Sequence, residues 1–258
     1  MDLGISGKRA LVCASSKGLG KGCAIALAEA GCSVMLNGRG SDALNATAEE
    51  IRGLGAEVAT VAADITTQDG RAEVLETAGA VDILVNNAGG PPPGMWTDWD
   101  RDDFIAALDA NMLSPIAMMK ALVPGMMTRG WGRVVNITSV SVKAPVAQLG
   151  LSNSARAGLT GYVAGTARQV APHGVVINNL LPGLHATDRM DALDAALSRA
   201  ENISFDDARA SRLATLPTGE YGDPRDFGRM CAFLCSQHAK FVVGQNILMD
   251  GGATNTTL

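Results

Sequence analysis

Near the start of the chain runs Lys8-Arg9-Ala10-Leu11-Val12-Cys13-Ala14-Ser15-Ser16-Lys17-Gly18-Leu19-Gly20. The apolar run from Lys8 to Ala14 reads as a strand, and the small residues after it turn the chain. From Gly18 to Ala30 apolar residues recur at helical intervals, and Gly31 ends the helix as a C-cap. A strand that turns through small residues straight into a helix is the first part of a β-α-β unit.

The rest of the chain repeats that alternation. Strands are predicted over 32–37, 57–62, 81–85, 133–137, 175–180 and 241–249. Helices are predicted over 41–54 (Ser41 as its cap), 67–78, 101–127, 152–170, 187–213 and 224–236. The strands are nearly continuous apolar stretches, as expected when helices cover both faces of a parallel sheet. The prediction is an α/β fold of Rossmann type: a doubly wound, seven-stranded parallel sheet. No composition break marks a linker, so residues 1–258 read as one domain, with a segment at about 183–215 placed to cover a substrate.

Composition narrows the function classes. The 258 residues are 47% hydrophobic, 18% charged and 4% aromatic, which excludes an intrinsically disordered chain. The formal charge of −5 argues against a nucleic-acid partner. No uninterrupted apolar run approaches the roughly 18 residues of a membrane span, and no secretory pattern opens the chain, so a cytoplasmic protein is expected. The five cysteines are scattered and odd in number. Only Cys231 and Cys235 share a helical face, and without a His or carboxylate at a matching interval they read as buried apolar thiols, not a metal site.

The opening turn carries chemistry of its own. Small residues at Ser16-Lys17-Gly18-Leu19-Gly20 let backbone approach a pyrophosphate, and a helix N-terminus offers free N–H groups and a positive dipole end. Arg39 follows the second strand where a protein for NAD(H) would carry Asp or Glu. A carboxylate there repels a 2′-phosphate, whereas Arg39 and Lys17 attract it, so NADP(H) is favoured over NAD(H).

Together with later segments, this turn resembles the short-chain dehydrogenase/reductase family in its single-domain bacterial form. The marks are Ala14 to Gly20, Asp64, Asn86-Asn87-Ala88-Gly89, Asn111, Asn136-Ile137-Thr138-Ser139, Pro182-Gly183 and Asp250-Gly251-Gly252. Ala14 stands where the family usually has glycine. The resemblance implies that Asp64, with Ile65, meets the adenine. It further implies that Asn87, Ala88 and Gly89 line the adenosine side, and that Pro182, Gly183 and Thr187 cover the nicotinamide. Asp64 also reads as a helix-capping carboxylate, and Pro182-Gly183 as a plain turn.

At the catalytic end the pattern departs from the family. The resemblance implies hydride transfer to or from a carbonyl carbon, with a Ser, a Tyr and a Lys around its oxygen. Ser139 and Asn111 fall in their family slots, but Tyr-x-x-x-Lys is replaced by Ser152-Asn153-Ser154-Ala155-Arg156. Arg156 keeps a cation for ribose binding yet gives up no proton. Ser152 is far less acidic than a phenol, and it also reads as a helix N-cap. Tyr162 lies about 240° round the helix from that face. Tyr221 reads as structural, Lys143 as solvent-exposed, His185 as a surface imidazole on a loop near Asp188, and the Pro91 to Trp96 loop as a substrate wall or a surface brace.

The reading that follows is an NADP(H)-dependent oxidoreductase on a small-molecule carbonyl or alcohol, similar to 3-oxoacyl reductases, with an atypical proton path. The alternatives are a non-redox lyase or aldolase-like enzyme, or a nucleotide-binding subunit without catalysis. By analogy the chain forms a homo-oligomer, a dimer or tetramer.

Overall fold

In the computed structural model, which describes residues 1–256, seven parallel strands form one sheet in the order β3-β2-β1-β4-β5-β6-β7. They are β1 (Arg9–Val12), β2 (Ser33–Gly38), β3 (Val58–Ala62), β4 (Ile83–Asn86), β5 (Gly132–Ile137), β6 (Val175–Pro182) and β7 (Asn246–Met249). The helices are α1 (Gly18–Glu29), α2 (Ser41–Gly53), α3 (Gln68–Ala78), α4 (Arg101–Leu108), α5 (Ser114–Thr128), α6 (Gly150–Val170), α7 (Asp188–Glu201), α8 (Phe205–Leu213) and α9 (Pro224–Cys235). The sequence order reverses between β1 and β4, so the crevice lies beyond the carboxyl ends of those strands, where doubly wound sheets bind ligands.

Strand periodicity divides the core in two. Ala10, Val12, Ile83, Val85, Val135 and Ile137 face one cluster with α1, α2 and α9. Leu11, Leu84 and Val134 face the other with Met118, Met119 and Leu122 of α5 and Leu159 and Val163 of α6. Where α1 crosses α9, a Cβ on Gly22 would collide with the Pro224 carbonyl, and one on Gly228 with the Gly22 carbonyl. Cys23, Cys231 and Cys235 are fully buried beside that crossing. A hydrogen bond with Cys23, and then burial, holds the Cys231 thiol well above the ordinary range; a hydrogen bond with Cys231, and then burial, does the same for Cys235.

Several boundaries differ from the sequence expectation. The helix expected over 101–127 contains a π turn at Asp109–Leu113 between α4 and α5. As a whole, Arg101–Thr128 is long and apolar enough to cross a membrane by length and composition, but its α5 residues Met118, Met119 and Met126 are core. The expected 187–213 helix breaks at Asn202, whose φ of 53° is left-handed, and restarts when the Ser204 hydroxyl accepts the Asp207 N–H at 3.0 Å. Ser41 is the first residue of α2 after Gly40 and caps nothing. The last strand begins only at Asn246, leaving Phe241 exposed.

Four asparagines in register tie the sheet together. Asn86 pairs with Asn136, Asn136 with Asn179 and Asn179 with Asn246 across β4 to β7. Each side-chain amide donates to the next carbonyl oxygen, at 2.9, 3.1 and 2.8 Å. Asn136→Ala removes one amide, strands the buried Asn179 carbonyl and leaves the Asn86 amide with only its 3.4 Å bond to the Pro115 carbonyl, at up to about 1–3 kcal/mol each. Asn246→Ala strands only one. In urea titrations the first variant is expected to lose at least twice the stability lost by the second.

Candidate active site

Beyond β1, the chain turns through Ala14 to Lys17. Asn37 of β2 holds this turn from one side: its N–H donates to the Ser15 hydroxyl at 3.1 Å, and its carbonyl accepts the Ser15 N–H at 2.8 Å. From the other side Asn87, just past β4, donates its amide to the Ala14 carbonyl at 3.0 Å. A Cβ on Gly20 would strike both that carbonyl and the Asn87 amide, so only glycine fits. Ala14 itself sits at φ 45°, a left-handed conformation that costs a residue with a Cβ about 1–2 kcal/mol.

No side chain caps the first turn of α1. Its first amides are therefore left without a side-chain partner, as at helix N-termini that receive anions, and nothing lies within 4 Å of a Cβ built on Gly89. These features fit a dinucleotide pyrophosphate. Past β2, the Ser16 hydroxyl lies near Gly38, and Arg39 is exposed without an ion pair among the described residues. Asp64 is half-buried. One carboxylate oxygen accepts both the backbone N–H and the hydroxyl of Thr66, at 2.9 and 2.8 Å, and these bonds, with Arg39 nearby, hold its pKa below the usual range. It does not cap α3; Thr67 does. Ile65 is core, and its carbonyl accepts Arg71 Nη1 at 2.9 Å.

Lys17, expected beside a 2′-phosphate, instead forms an exposed ion pair with Asp188 at 3.2 Å. Next to it, the Thr187 side chain lies 3.4 Å from a Cβ built on Gly18. Thus the segment after Pro182 and Gly183 folds down onto the opening turn. Gly183 is anchored by its N–H to the Met249 carbonyl at 2.8 Å, and a Cβ there would strike Asp250.

The second half of the site lies at the ends of β5 and α6. The Ser139 oxygen accepts the Ser141 N–H at 3.1 Å, which leaves its hydroxyl proton free to donate. Arg156 reaches back from α6. Its Nε donates to Ser152 Oγ at 3.1 Å and its Nη1 to the Ile137 carbonyl at 2.9 Å. Ser152 is the third residue of α6 and is not its N-cap. Arg156 is only 7% exposed and has no carboxylate partner among the described residues. Burial first, and the Arg189 charge second, lower its pKa to about 10, so it remains a cation at neutral pH. Asn111 sits in the π turn, buried, with its carbonyl oxygen unpaired; such turns often mark functional sites. The turn packs on α6 through Met112, which meets Gly158.

Other candidates fall elsewhere. His185 is buried, not a surface imidazole, and stacks edge-on against Phe227 at 5.1 Å. Tyr221 donates to both oxygens of the fully buried Asp194, which also accepts Arg212 Nε at 2.6 Å. This cluster pins α7 to α8. Tyr162 packs against the second core, and Lys143 is exposed. In the 91–99 loop Trp96 is exposed; Trp99, which periodicity did not single out, packs edge-on to Phe104 and against Gly150. No sequence pattern marks Arg189, which stands two residues past Thr187. Its guanidinium lies on Gly90, with Nη2 3.5 Å from the Pro91 carbonyl.

An uncapped helix after a glycine turn, an Asn at the end of β4, a Ser at the end of β5 and a cation from α6 define a short-chain dehydrogenase/reductase. A family model described as enoyl-(acyl carrier protein) reductase matches residues 13–254, and the chain belongs to that family. It is 31% identical over 253 residues to the 3-oxoacyl-[acyl-carrier-protein] reductase FabG of Vibrio harveyi, covering 97% of this chain and 98% of that one. It is also 31% identical over 254 residues to gluconate 5-dehydrogenase of Gluconobacter oxydans, covering 97% and 96%. Among solved structures, L-sorbose reductase of Gluconobacter frateurii, complexed with NADPH and L-sorbose, superposes with a TM-score of 0.95 at 28% identity, covering 99% and 100%.

Two outcomes follow from these surroundings. Ala14→Gly relieves the left-handed strain but frees the unfolded chain, for a net gain of up to about 1 kcal/mol in a thermal melt. Burial, the largest influence on His185, holds its pKa below the ordinary value near 6.5. The unfolded chain therefore takes up this proton first as pH falls. The stability present above about pH 6.5 is lost below it, toward the lowered native pKa. His185→Phe is expected to flatten that acid-side loss between roughly pH 7 and pH 5.

Proposed function

We propose that this chain is an NADP(H)-dependent oxidoreductase acting on a small-molecule carbonyl/alcohol pair, in the manner of 3-oxoacyl and sugar reductases, with Ser152 and Arg156 in place of the usual Tyr and Lys. The observation that carries this is the reach of Arg156 to the Ile137 carbonyl, which sets a cation and the hydroxyls of Ser139 and Ser152 around the end of β5. NAD(H) is the less favoured cofactor because Arg39, and no carboxylate, follows β2.

Gly18, Leu19 and Gly20 would hold the pyrophosphate through the α1 amides, with Ser16, Arg39 and, once released from Asp188, Lys17 toward a 2′-phosphate. Asp64 and Ile65 would meet the adenine, and Asn87, Ala88 and Gly89 the adenosine. Pro182, Gly183 and Thr187 would lie over the nicotinamide, and residues 183–215 over the substrate. Bound there, NADPH supplies the hydride that turns a carbonyl carbon into a carbinol.

The chain's own groups do the rest. Ser139, its oxygen occupied by the Ser141 N–H, points its proton at the substrate oxygen and polarises the carbonyl. Ser152 receives a charge-assisted bond from Arg156 Nε, which leaves its own O–H to donate. The proton that Ser152 passes on is replaced from water, because Arg156 holds its own. Asn111 steadies that path with its unpaired carbonyl oxygen. The exposed Phe104, Ile105 and Leu113 support a homo-oligomer, and the −5 charge a soluble cytoplasmic protein.

NADPH and NADH titrations followed by cofactor fluorescence test the nucleotide half. Arg39→Ala is expected to weaken NADPH at least tenfold and NADH less than twofold; equal losses would remove the 2′-phosphate assignment. Ser139→Ala is expected to lower carbonyl turnover on the order of a hundredfold, a typical cost for losing one oxyanion donor, with NADPH affinity unchanged.

A further inference from the structure

Two arginines among the described residues are buried without a carboxylate, and they solve the problem differently. Arg133 spends its donors on backbone carbonyls of Gly132, Gly174 and Ser236 and lies over the Trp131 ring, 4.6 Å from its centroid. Arg156 has only Ser152 and Ile137, which leaves Nη2 and one Nη1 proton without a protein acceptor. An isolated buried cation is costly unless a partner arrives to share it.

A second cation without an ion pair among the described residues is Arg189, whose side chain is exposed. Arg189 comes from the first turn of α7 and lays its guanidinium on Gly90, past the end of β4. β4 and β5 are neighbours in register, so Gly90 and the Ile137 carbonyl belong to adjacent strand ends. Arg189 forms no ion pair among the described residues; the nearby Asp188 is engaged with Lys17. Its charge is felt at Arg156. Two guanidiniums at adjacent strand ends of one crevice, one buried and one exposed, neither with a counter-ion among the described residues, form a site for an anion. The dinucleotide's phosphates belong at the other end, by α1 and Arg39, and a ribose offers only neutral hydroxyls.

We propose that Arg156 and Arg189 together receive a carboxylate carried by the substrate, so that this enzyme acts on small oxo acids and their hydroxy acids in preference to neutral carbonyls or thioesters. The inference rests on the oxidoreductase reading above and deepens it. The reaction is RC(=O)–COO⁻ + NADPH + H⁺ giving RCH(OH)–COO⁻ + NADP⁺, or its 3-oxo counterpart. The hydride bonds to the carbonyl carbon as its C=O π bond breaks, and the oxygen takes its proton through Ser152 from water. The guanidinium fork matches a carboxylate in two parallel hydrogen bonds, which fixes the neighbouring carbonyl relative to Ser139.

The test uses the full-length protein saturated with NADPH. Oxamate, an oxo-acid mimic that cannot be reduced, is titrated calorimetrically, and 2-oxo acids are compared with their methyl esters and with a 3-oxoacyl thioester by loss of NADPH absorbance. Expected are oxamate binding weakened at least tenfold in Arg189→Gln and largely regained in Arg189→Lys, NADPH affinity within twofold throughout, and kcat/KM at least tenfold higher for acids than esters. Oxamate binding indifferent to Arg189, or esters and thioesters reduced as well as the acids, overturns the carboxylate site while leaving the reductase intact. Arg189-dependent oxamate binding without reduction of any carbonyl upholds the site and sinks the reductase reading instead.

Discussion

The asparagine chain across β4, β5, β6 and β7 is the constraint on which the crevice hangs. Its amides all point the same way, so each bond polarises the next, and each pair sits at an in-register step of the sheet. A strand that slipped by one residue would break its amide bonds and turn its apolar residues to the wrong face. The groups of the site follow directly after these asparagines. Asn87 to Gly90 come after Asn86, Ile137 to Ser139 after Asn136, and Gly183 to Arg189 a few residues after Asn179. The chemistry is thus aligned by buried amides that do none of it.

Much of this was legible in the sequence, for identifiable reasons. Buried parallel strands must be apolar on both faces, so Leu11, Val12, Leu84 and Val85 announced the sheet, and the residues after each strand announced the crevice. What was not legible depends on long-range packing. The π turn at Asp109–Leu113 leaves no mark in apolar periodicity, and the break at Asn202 needed a left-handed φ that a helical pattern hides. His185 lies in a loop segment that suggested solvent, yet Phe227, more than forty residues on, supplies the wall that buries it.

Arg189 shows the same limit more sharply. Its charge alone reads as a solvated surface residue. Its meaning comes from Gly90, where the absence of a side chain makes room for the guanidinium, and from Arg156, which shares the crevice. Neither neighbour is close in sequence, so only the fold makes the two cations a pair.

On the proposed reading, the replacement of Tyr and Lys by Ser152 and Arg156 is one coupled change. A phenol needs a neighbouring cation to approach neutrality, and a lysine suits that task because it is compact. A serine gains little acidity from such a neighbour, so the cation is free for other work. A guanidinium locked by Ser152 and Ile137 presents its remaining N–H groups in a fixed plane. That geometry suits recognition better than proton transfer, since Arg keeps its proton while its fork selects planar anions. On the proposed reading the catalytic weight would shift to Ser139 and to the electrostatic field of two cations, which would stabilise negative charge as it builds on the substrate oxygen. A carboxylate next to that oxygen would otherwise repel the growing charge. Neutralised by Arg156 and Arg189 as proposed, it would become the handle that holds the carbonyl in place.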